Sequence, residues 1–279
     1  MLKLGLIAGG GGLPVEIAQH CERSGRALFV IRLKGFAGAD LDPYAGAAIG
    51  LAEIGKCLKA LRRAGCQAVC LAGNVTRPDF ASLAPDLRGL LLLPKIIKAA
   101  SRGDDALLRL LISVFEKDGF AVEGAHEVMD DLSLPVGLLG RHAPDAAARD
   151  DAARALVVAR AIGALDIGQG AIVSAGLVLA VEAQEGTDAM LERVAALPNH
   201  LRGIPGAGIG VLAKAPKPIQ ETRVDLPTIG IATVQGVARA GLAGIVGEAG
   251  RMLVLEREAV IEMADELGLF ILGVEPDGR

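Results

Sequence analysis

An unbroken apolar run, Leu2 to Ala8, ends in four consecutive glycines, Gly9 to Gly12, and gives way at once to a helical pattern over Leu13 to Ser24. A second apolar run, Ala27 to Leu33, follows. Strand, tight turn, helix and strand in that order predict a βαβ unit, since two parallel strands need a crossover between them. This opening commits the first part of the chain to a parallel sheet flanked by helices.

The pattern continues with a helix over Ile54 to Ala64 and a strand over Ala68 to Leu71, broken by Ala72-Gly73-Asn74-Val75. In open parallel sheets ligands bind at such carboxyl ends. Helices over Pro85 to Ser101 and Asp104 to Asp118 and a strand over Phe120 to Gly124 complete a doubly wound, Rossmann-like domain, residues 1–132. Residues 133–149 hold Pro135, Gly137, Gly140 and Pro144 with little periodicity and read as a linker.

A mixed α/β domain, residues 150–279, is expected beyond it. It opens with a helix over Asp150 to Ile162, then a hairpin of Ala171 to Ser174 and Leu177 to Ala183 about Ala175-Gly176. Strands are predicted at Gly210 to Ala213, Thr228 to Thr233, Gly244 to Val246, Met252 to Leu255 and Leu269 to Val274, with a helix over Arg257 to Leu267. A length of 279 residues agrees with two cores rather than one.

Those cores must be aliphatic, because the chain is 52% hydrophobic yet only 3% aromatic, without Trp. The same shortage removes a base-stacking platform, and a net charge of −4 with scattered Lys and Arg argues against nucleic acid. No apolar run reaches a membrane span and the start resembles a strand, not a signal peptide, so a cytoplasmic protein is expected. Cys21, Cys57, Cys66 and Cys70 lie in apolar surroundings without His at zinc-finger spacing and read as buried free thiols.

The glycine run stands where a dinucleotide fold seats a pyrophosphate on a helix amino terminus. As a GxGxxG fingerprint it fails, since Pro14 or Val15 replaces the third glycine, and the second strand ends in Arg32 and Lys34 rather than an acid. A nicotinamide enzyme is disfavoured. Backbone N–H groups at Gly10, Gly11, Gly12 and Leu13 remain candidates for an anionic or nucleotide ligand, beside the reading as a plain βα turn. Asn74, Arg77 and Asp104 are further binding candidates, although Arg77-Pro78-Asp79 also suits a turn and Asp104 a helix start. The run Leu90-Leu91-Leu92-Leu93-Pro94-Lys95-Ile96-Ile97 can touch an acyl chain, but a buried helix is the commoner cause.

In the second domain, Glu182, Glu185 and Asp188 fall within seven residues at the end of an apolar strand. Alternation places Glu182 and Gln184 on one face, Gly186 permits a bend, and Thr187 can cap a helix over Asp188 to Ala196. Converging carboxylates of this kind suit Mg²⁺, whose shell is filled by water and substrate phosphates. Lys214, Lys217 and Arg223 offer positive charge for a diphosphate, and Asp225, between Val224 and Leu226, needs a cationic partner. Capped helices and salt bridges explain the same residues without chemistry. The four His are scattered, so water is the expected nucleophile.

Leu6-Ile7-Ala8-Gly9-Gly10-Gly11, Glu182-Ala183-Gln184-Glu185-Gly186-Thr187-Asp188 and the stretch from Lys217 to Gly230 together resemble the LpxI family of UDP-2,3-diacylglucosamine pyrophosphatases. The likeness extends through Ala72-Gly73-Asn74-Val75, Gly103-Asp104-Asp105-Ala106 and Gly124-Ala125-His126-Glu127. It implies a Mg²⁺-dependent enzyme of lipid A biosynthesis that cuts its UDP-linked acylated glucosamine into UMP and 2,3-diacylglucosamine 1-phosphate, with water attacking the β-phosphorus. Asp225 matches the family's essential aspartate. On this reading Asp225 with Glu182, Glu185 or Asp188 holds the metal, Lys214, Lys217 and Arg223 stabilise charge, and domain closure assembles the site. Contact with the cytoplasmic face of the inner membrane and a homodimer are compatible expectations. The competing reading is a non-catalytic nucleotide-sugar or lipid binding protein.

Overall fold

Two compact units divide the chain, one running from Met1 to Asp130 and joined by Arg223, the other beginning at Asp131. The computed structural model describes residues 1–76, 83–101, 103–218, 223 and 226–276, without the side chain of Asp104.

The first unit is a five-stranded parallel sheet, built from β1 (Leu4–Ala8), β2 (Leu28–Leu33), β3 (Gly46–Ile49), β4 (Ala68–Ala72) and β5 (Ala121–Val122). The strand order is β3-β2-β1-β4-β5, the doubly wound order whose switch point lies between β1 and β4. β1 is buried at every residue, as a central parallel strand covered on both faces must be. Between the strands run α1 (Leu13–Ser24), α2 (Ile54–Arg63), α3 (Leu87–Ala100) and α4 (Asp104–Lys117), with the short α5 (Ala125–Val128) last. Pro14 in the first turn of α1 and left-handed Gly25 after it define that helix, since proline's missing N–H costs nothing at a helix start and glycine accepts the positive φ.

α3 is fixed from its inner side. The Asp86 carboxylate caps it by accepting from Gly89 N at 2.8 Å and reaches Lys56 N of α2 at 2.7 Å. The Asp118 carboxylate, whose side chain is 5% exposed, accepts from Arg88 of α3 at 2.6 Å and pairs with Arg62 of α2 at 2.5 Å. A Cβ at Gly89 would fall 1.9 Å from Ala52 O, so only glycine allows this approach. Leu92 and Ile96 pack on the core formed by Ile54, Leu58, Val69, Ile112 and Phe115.

The second unit is a mixed sheet of six strands in the order β6-β15-β13-β11-β7-β8. They are β6 (Gly137–Leu138), β7 (Gly170–Ser174), β8 (Leu177–Val181), β11 (Val211–Lys214), β13 (Gly244–Glu248) and β15 (Phe270–Val274). β11, β13 and β15 are mutually parallel, while β6, β7 and β8 join antiparallel. Alternation separates two cores. Ile172, Leu212, Ile245 and Ile271 meet α7 (Gly186–Ala195), α9 (Ile231–Arg239) and α10 (Arg257–Leu267) through Met190, Leu191, Val234, Val237 and Val260. Ala171, Val173, Val211, Ala213 and Val246 meet the alanine-rich face of α6 (Ala146–Ala164). The short α8 (Asn199–Arg202), the ladder of β9 (Gly203–Ile204) with β10 (Ala207–Gly208), and the pair of β12 (Thr228–Ile229) with β14 (Leu253–Val254) complete the unit.

Two expectations change here. Residues 133–149, expected as a linker, belong to this unit's packing: Leu134 and Leu139 are core residues, β6 pairs with β15, and Asp145 caps α6 through Ala148 N at 2.8 Å. Proline and glycine in this segment mark turns rather than a tether. Thr228 to Thr233, expected as one strand, is a strand only through Ile229. The chain turns at Gly230 into α9, because Val234 and Val237 bury on a helical period.

Candidate active site

At the switch point of the first unit, the glycine turn after β1 and the turn after β4 are zipped by backbone hydrogen bonds. Gly9 N donates to Ala72 O, Gly10 N to Asn74 O and Asn74 N to Gly10 O, each at 2.8 Å. Gly73, at φ +92°, makes this possible, since a Cβ there would stand 2.5 Å from Gly10 O and 2.8 Å from Pro14 Cγ. Gly11 also has positive φ, and the space where its Cβ would be lies 3.7 Å from Asn74 Nδ2. Gly11 and Gly12 are exposed, and α1 begins at Leu13, so the amino-terminal end of a helix dipole and the Asn74 amide border one open turn. The expected set Gly10, Gly11, Gly12, Leu13 and Asn74 is therefore brought together. Arg77 and the Asp104 side chain lie outside the described residues. Arg32, at the end of β2, is turned to Leu41 O and Tyr44 O, both at 3.0 Å.

In the second unit, Glu182 follows β8 and is buried, its N–H donating to Gly170 O at 2.8 Å. Thr187 Oγ1 donates to Glu182 Oε1 at 2.7 Å. Buried Lys214, the last residue of β11, donates to Thr187 Oγ1 at 2.8 Å and to Thr228 O at 3.0 Å. An ammonium only donates and a carboxylate only accepts, so the Thr187 hydroxyl proton must point to Glu182. The other carboxylate oxygen, Glu182 Oε2, is buried without a hydrogen-bond partner among the described residues. A buried acceptor left in that state is costly unless a ligand, ion or water completes it.

Sequence reasoning missed the two glycines that make room for this carboxylate. A Cβ at Gly170 would stand 2.7 Å from Glu182 Oε2, and one at Gly168 2.1 Å from Glu182 O. The Gly-Gln-Gly spacing just before an apolar strand is the signal that could have exposed them.

The other expected acids are not buried with Glu182. Glu185 and Asp188 are exposed, as is Gln184. Arg193 pairs with Glu185 Oε1 at 2.5 Å, and the Glu185 carboxyl lies below its ordinary range, first through its own backbone N–H and then through Arg193. Thr187 does not cap a helix at Asp188, for α7 already begins at Gly186. Among the described residues no three His, Cys, Asp or Glu side chains group as a metal cage. Mg²⁺ needs less, because it takes one or two protein carboxylates and fills its octahedron with water and phosphate oxygens. Glu182, with one buried oxygen unsatisfied, suits that role, while Glu185 and Asp188 are exposed to solvent.

Of the expected cations, Lys214 alone joins Glu182 and Thr187. Lys217 Nζ donates to Asp166 Oδ1 at 2.7 Å, and Arg223 in the first unit pairs with Glu116 at 2.9 Å. Asp225 lies outside the described residues.

Comparison with known proteins gives this arrangement its context. Residues 3–132 match the model of the LpxI N-terminal domain and residues 135–272 that of the LpxI C-terminal domain. The chain is 65% identical over 279 residues to the UDP-2,3-diacylglucosamine pyrophosphatase LpxI of Caulobacter vibrioides, covering 100% of both proteins. Among solved structures, CobK precorrin-6A reductase aligns over 99% of this chain and 88% of its own at 13% identity and a TM-score of 0.33, too weak a likeness to carry an argument. With both domain models matched in order and a relative this similar end to end, the chain belongs to the LpxI family.

Proposed function

We propose that this protein hydrolyses the diphosphate of UDP-2,3-diacylglucosamine to UMP and 2,3-diacylglucosamine 1-phosphate, lipid X, in lipid A biosynthesis, with Mg²⁺ as cofactor. The observation that carries the reading is the 65% identity, without loss at either end, to a relative named for that substrate. In the reaction the oxygen of water bonds to the β-phosphorus, the bridging oxygen leaves with UMP, and the released proton passes to solvent. Mg²⁺ would be held by Asp225 and Glu182, and when bound it neutralises the diphosphate and polarises its oxygens.

The chain's own residues supply the rest. Lys214 is a buried cation whose position is set by Thr187 and Thr228, and it would stabilise charge developing on the diphosphate without reorganising. Thr187 holds Glu182 in one orientation and leaves its second oxygen for the site. Gly10 N–H is already given to Asn74 O, so the exposed turn of Gly11 to Leu13 and the Asn74 side-chain amide would take the nucleotide side. The protein would work in the cytoplasm, on a substrate whose acyl chains keep it at the inner membrane.

Incubation of UDP-2,3-diacylglucosamine with the full chain, with and without EDTA, tests the reading. UMP release that EDTA abolishes and Mg²⁺ restores is the expected result. Binding of substrate without UMP in the presence of Mg²⁺ would instead favour a non-catalytic lipid-nucleotide carrier. Asp225→Ala should lose turnover with unchanged circular dichroism, and full activity in that variant at saturating Mg²⁺ would remove Asp225 from the site.

A further inference from the structure

The run Leu90-Leu91-Leu92-Leu93, with a buried helix as its ordinary explanation, does not behave as one. Leu92 packs inward, but Leu90 and Leu91 are 56% and 71% exposed. Leu87, at 78% exposed, precedes them by one turn, and exposed Pro94 and Ile97 follow. Spacings of three and four put these five residues on one stripe of α3. The opposite side is occupied by Gly89 against Ala52, by Arg88 on Asp118, and by Leu92 and Ile96 on the core. The outward stripe is thus fixed by how the inner side docks.

Charge identifies what suits this stripe. Lys95 lies beside it, Lys98 continues its line at the carboxyl end, and both are exposed, whereas Arg88 is engaged by Asp118. Between Asp86 and Asp104 the sequence holds no acidic residue, in a chain whose net charge is −4. An apolar stripe on a helix that carries exposed lysines and no acid between its Asp86 cap and Asp104, in an acidic protein, complements a bilayer with anionic headgroups: leucines enter the acyl boundary while ammonium groups meet phosphates. A soluble acidic partner would satisfy the lysines but not so large an apolar stripe.

We infer that α3 is a membrane-docking helix that lies in the headgroup layer of an anionic bilayer, with Leu87, Leu90, Leu91, Pro94 and Ile97 facing the lipid and Lys95 and Lys98 the phosphates. The use of that contact, collecting a membrane-held acylated substrate, rests on the function proposed above; the contact itself does not.

The test is co-sedimentation of the full chain with vesicles of phosphatidylglycerol and phosphatidylethanolamine, against vesicles of phosphatidylcholine alone. The parent should bind the anionic vesicles and lose them as salt is raised. Leu91→Glu and the Lys95→Glu/Lys98→Glu pair should each weaken binding about tenfold or more while circular dichroism stays unchanged. UMP release from substrate dispersed in detergent should persist in both variants. Three results would overturn the inference: no preference of the parent for anionic vesicles, vesicle binding untouched by Leu91→Glu while an oligomer falls to monomer, or vesicle binding untouched while detergent-phase turnover is lost. The second would assign the stripe to another copy of the chain and the third to the substrate's acyl groups. Absence of UMP release by the parent in detergent would sink the proposed reaction and leave the vesicle result standing.

Discussion

Thr187 and Lys214, separated by 26 intervening residues, meet at 2.8 Å with the lysine donating, and the same hydroxyl passes its own proton toward Glu182 at 2.7 Å. One small hydroxyl therefore separates a buried ammonium from a buried carboxylate. Thr187→Val keeps the shape but removes both hydrogen bonds, and should cost about 1–3 kcal/mol of stability by leaving a charged acceptor unpaired. Because the hydroxyl orients Glu182, turnover should fall by roughly tenfold to a hundredfold, as when a ligand's outer partner is lost. Thr187→Ser should recover most of both. A valine variant with parental kcat in a UMP-release assay would remove Thr187 from the working site.

Gly73 and Gly12 separate the architectural and binding uses of the first unit's turn. Gly73→Ala puts a Cβ 2.5 Å from Gly10 O in a backbone conformation at φ +92°, so it should lower stability by about 1–3 kcal/mol and disturb the turn. Gly12→Ala meets nothing within 4 Å and has φ −76°. Its Tm should stay near the parent's, while a methyl on an exposed turn that holds the nucleotide should raise KM and weaken UMP binding by calorimetry. Unchanged KM in a stable Gly12→Ala variant would count against this turn as the nucleotide site.

Much of this architecture is legible in the sequence because burial imposes a period. Leu4 to Ala8 is apolar at every position but glycine, as a strand covered on both faces requires, and the glycine turn follows directly. Legibility fails where tertiary packing decides. Thr228 to Thr233 has strand composition, yet the burial of Val234 and Val237 makes its second part helical. Strand alternation puts Glu182 and Gln184 on a common face, but β8 ends at Val181, and beyond it the period no longer applies. Glu182 turns inward over Gly168 and Gly170, and Gln184 stays at the surface. Of the three closely spaced acids only Glu182 is buried, linked through the Thr187 hydroxyl to Lys214.

Glu53 predicts a pH dependence unrelated to catalysis. Its carboxylate accepts from Lys56, takes Gly50 N at 2.8 Å and lies 3.6 Å from Lys34 Nζ, which together lower its pKa from 4.5 to about 2. A carboxyl lowered by folding binds its proton more readily in the unfolded chain. Its stabilisation is therefore complete above about pH 4.5 and is lost as pH falls toward about 2. Lys56 is exposed, so salt should shrink the effect. Thermal melts across that window should fall less steeply for Glu53→Gln than for the parent, and parallel acid limbs would show that this carboxylate does not contribute.

Cys57 and Cys70 give a test of the first core that needs no substrate. All four thiols are free and buried, and burial, aided by Asp86 near Cys57 and Glu123 near Cys70, pushes these two up to about 12. The thiolate is the reactive species, so near pH 8 both thiols stay protonated in the folded state, whereas a substantial fraction is ionised in an unfolded chain. A disulfide-exchange reagent should therefore leave the native protein nearly unlabelled and titrate four thiols in guanidinium. Cys57 lies on α2 and Cys70 on β4, the pair of elements that carries α3 on one side and the Gly73 turn on the other. Gly73→Ala, if it loosens the end of β4, should speed labelling of Cys70 before it exposes Cys57. Equal acceleration at both positions would mean that the substitution unfolds the unit as a whole rather than its switch-point turn.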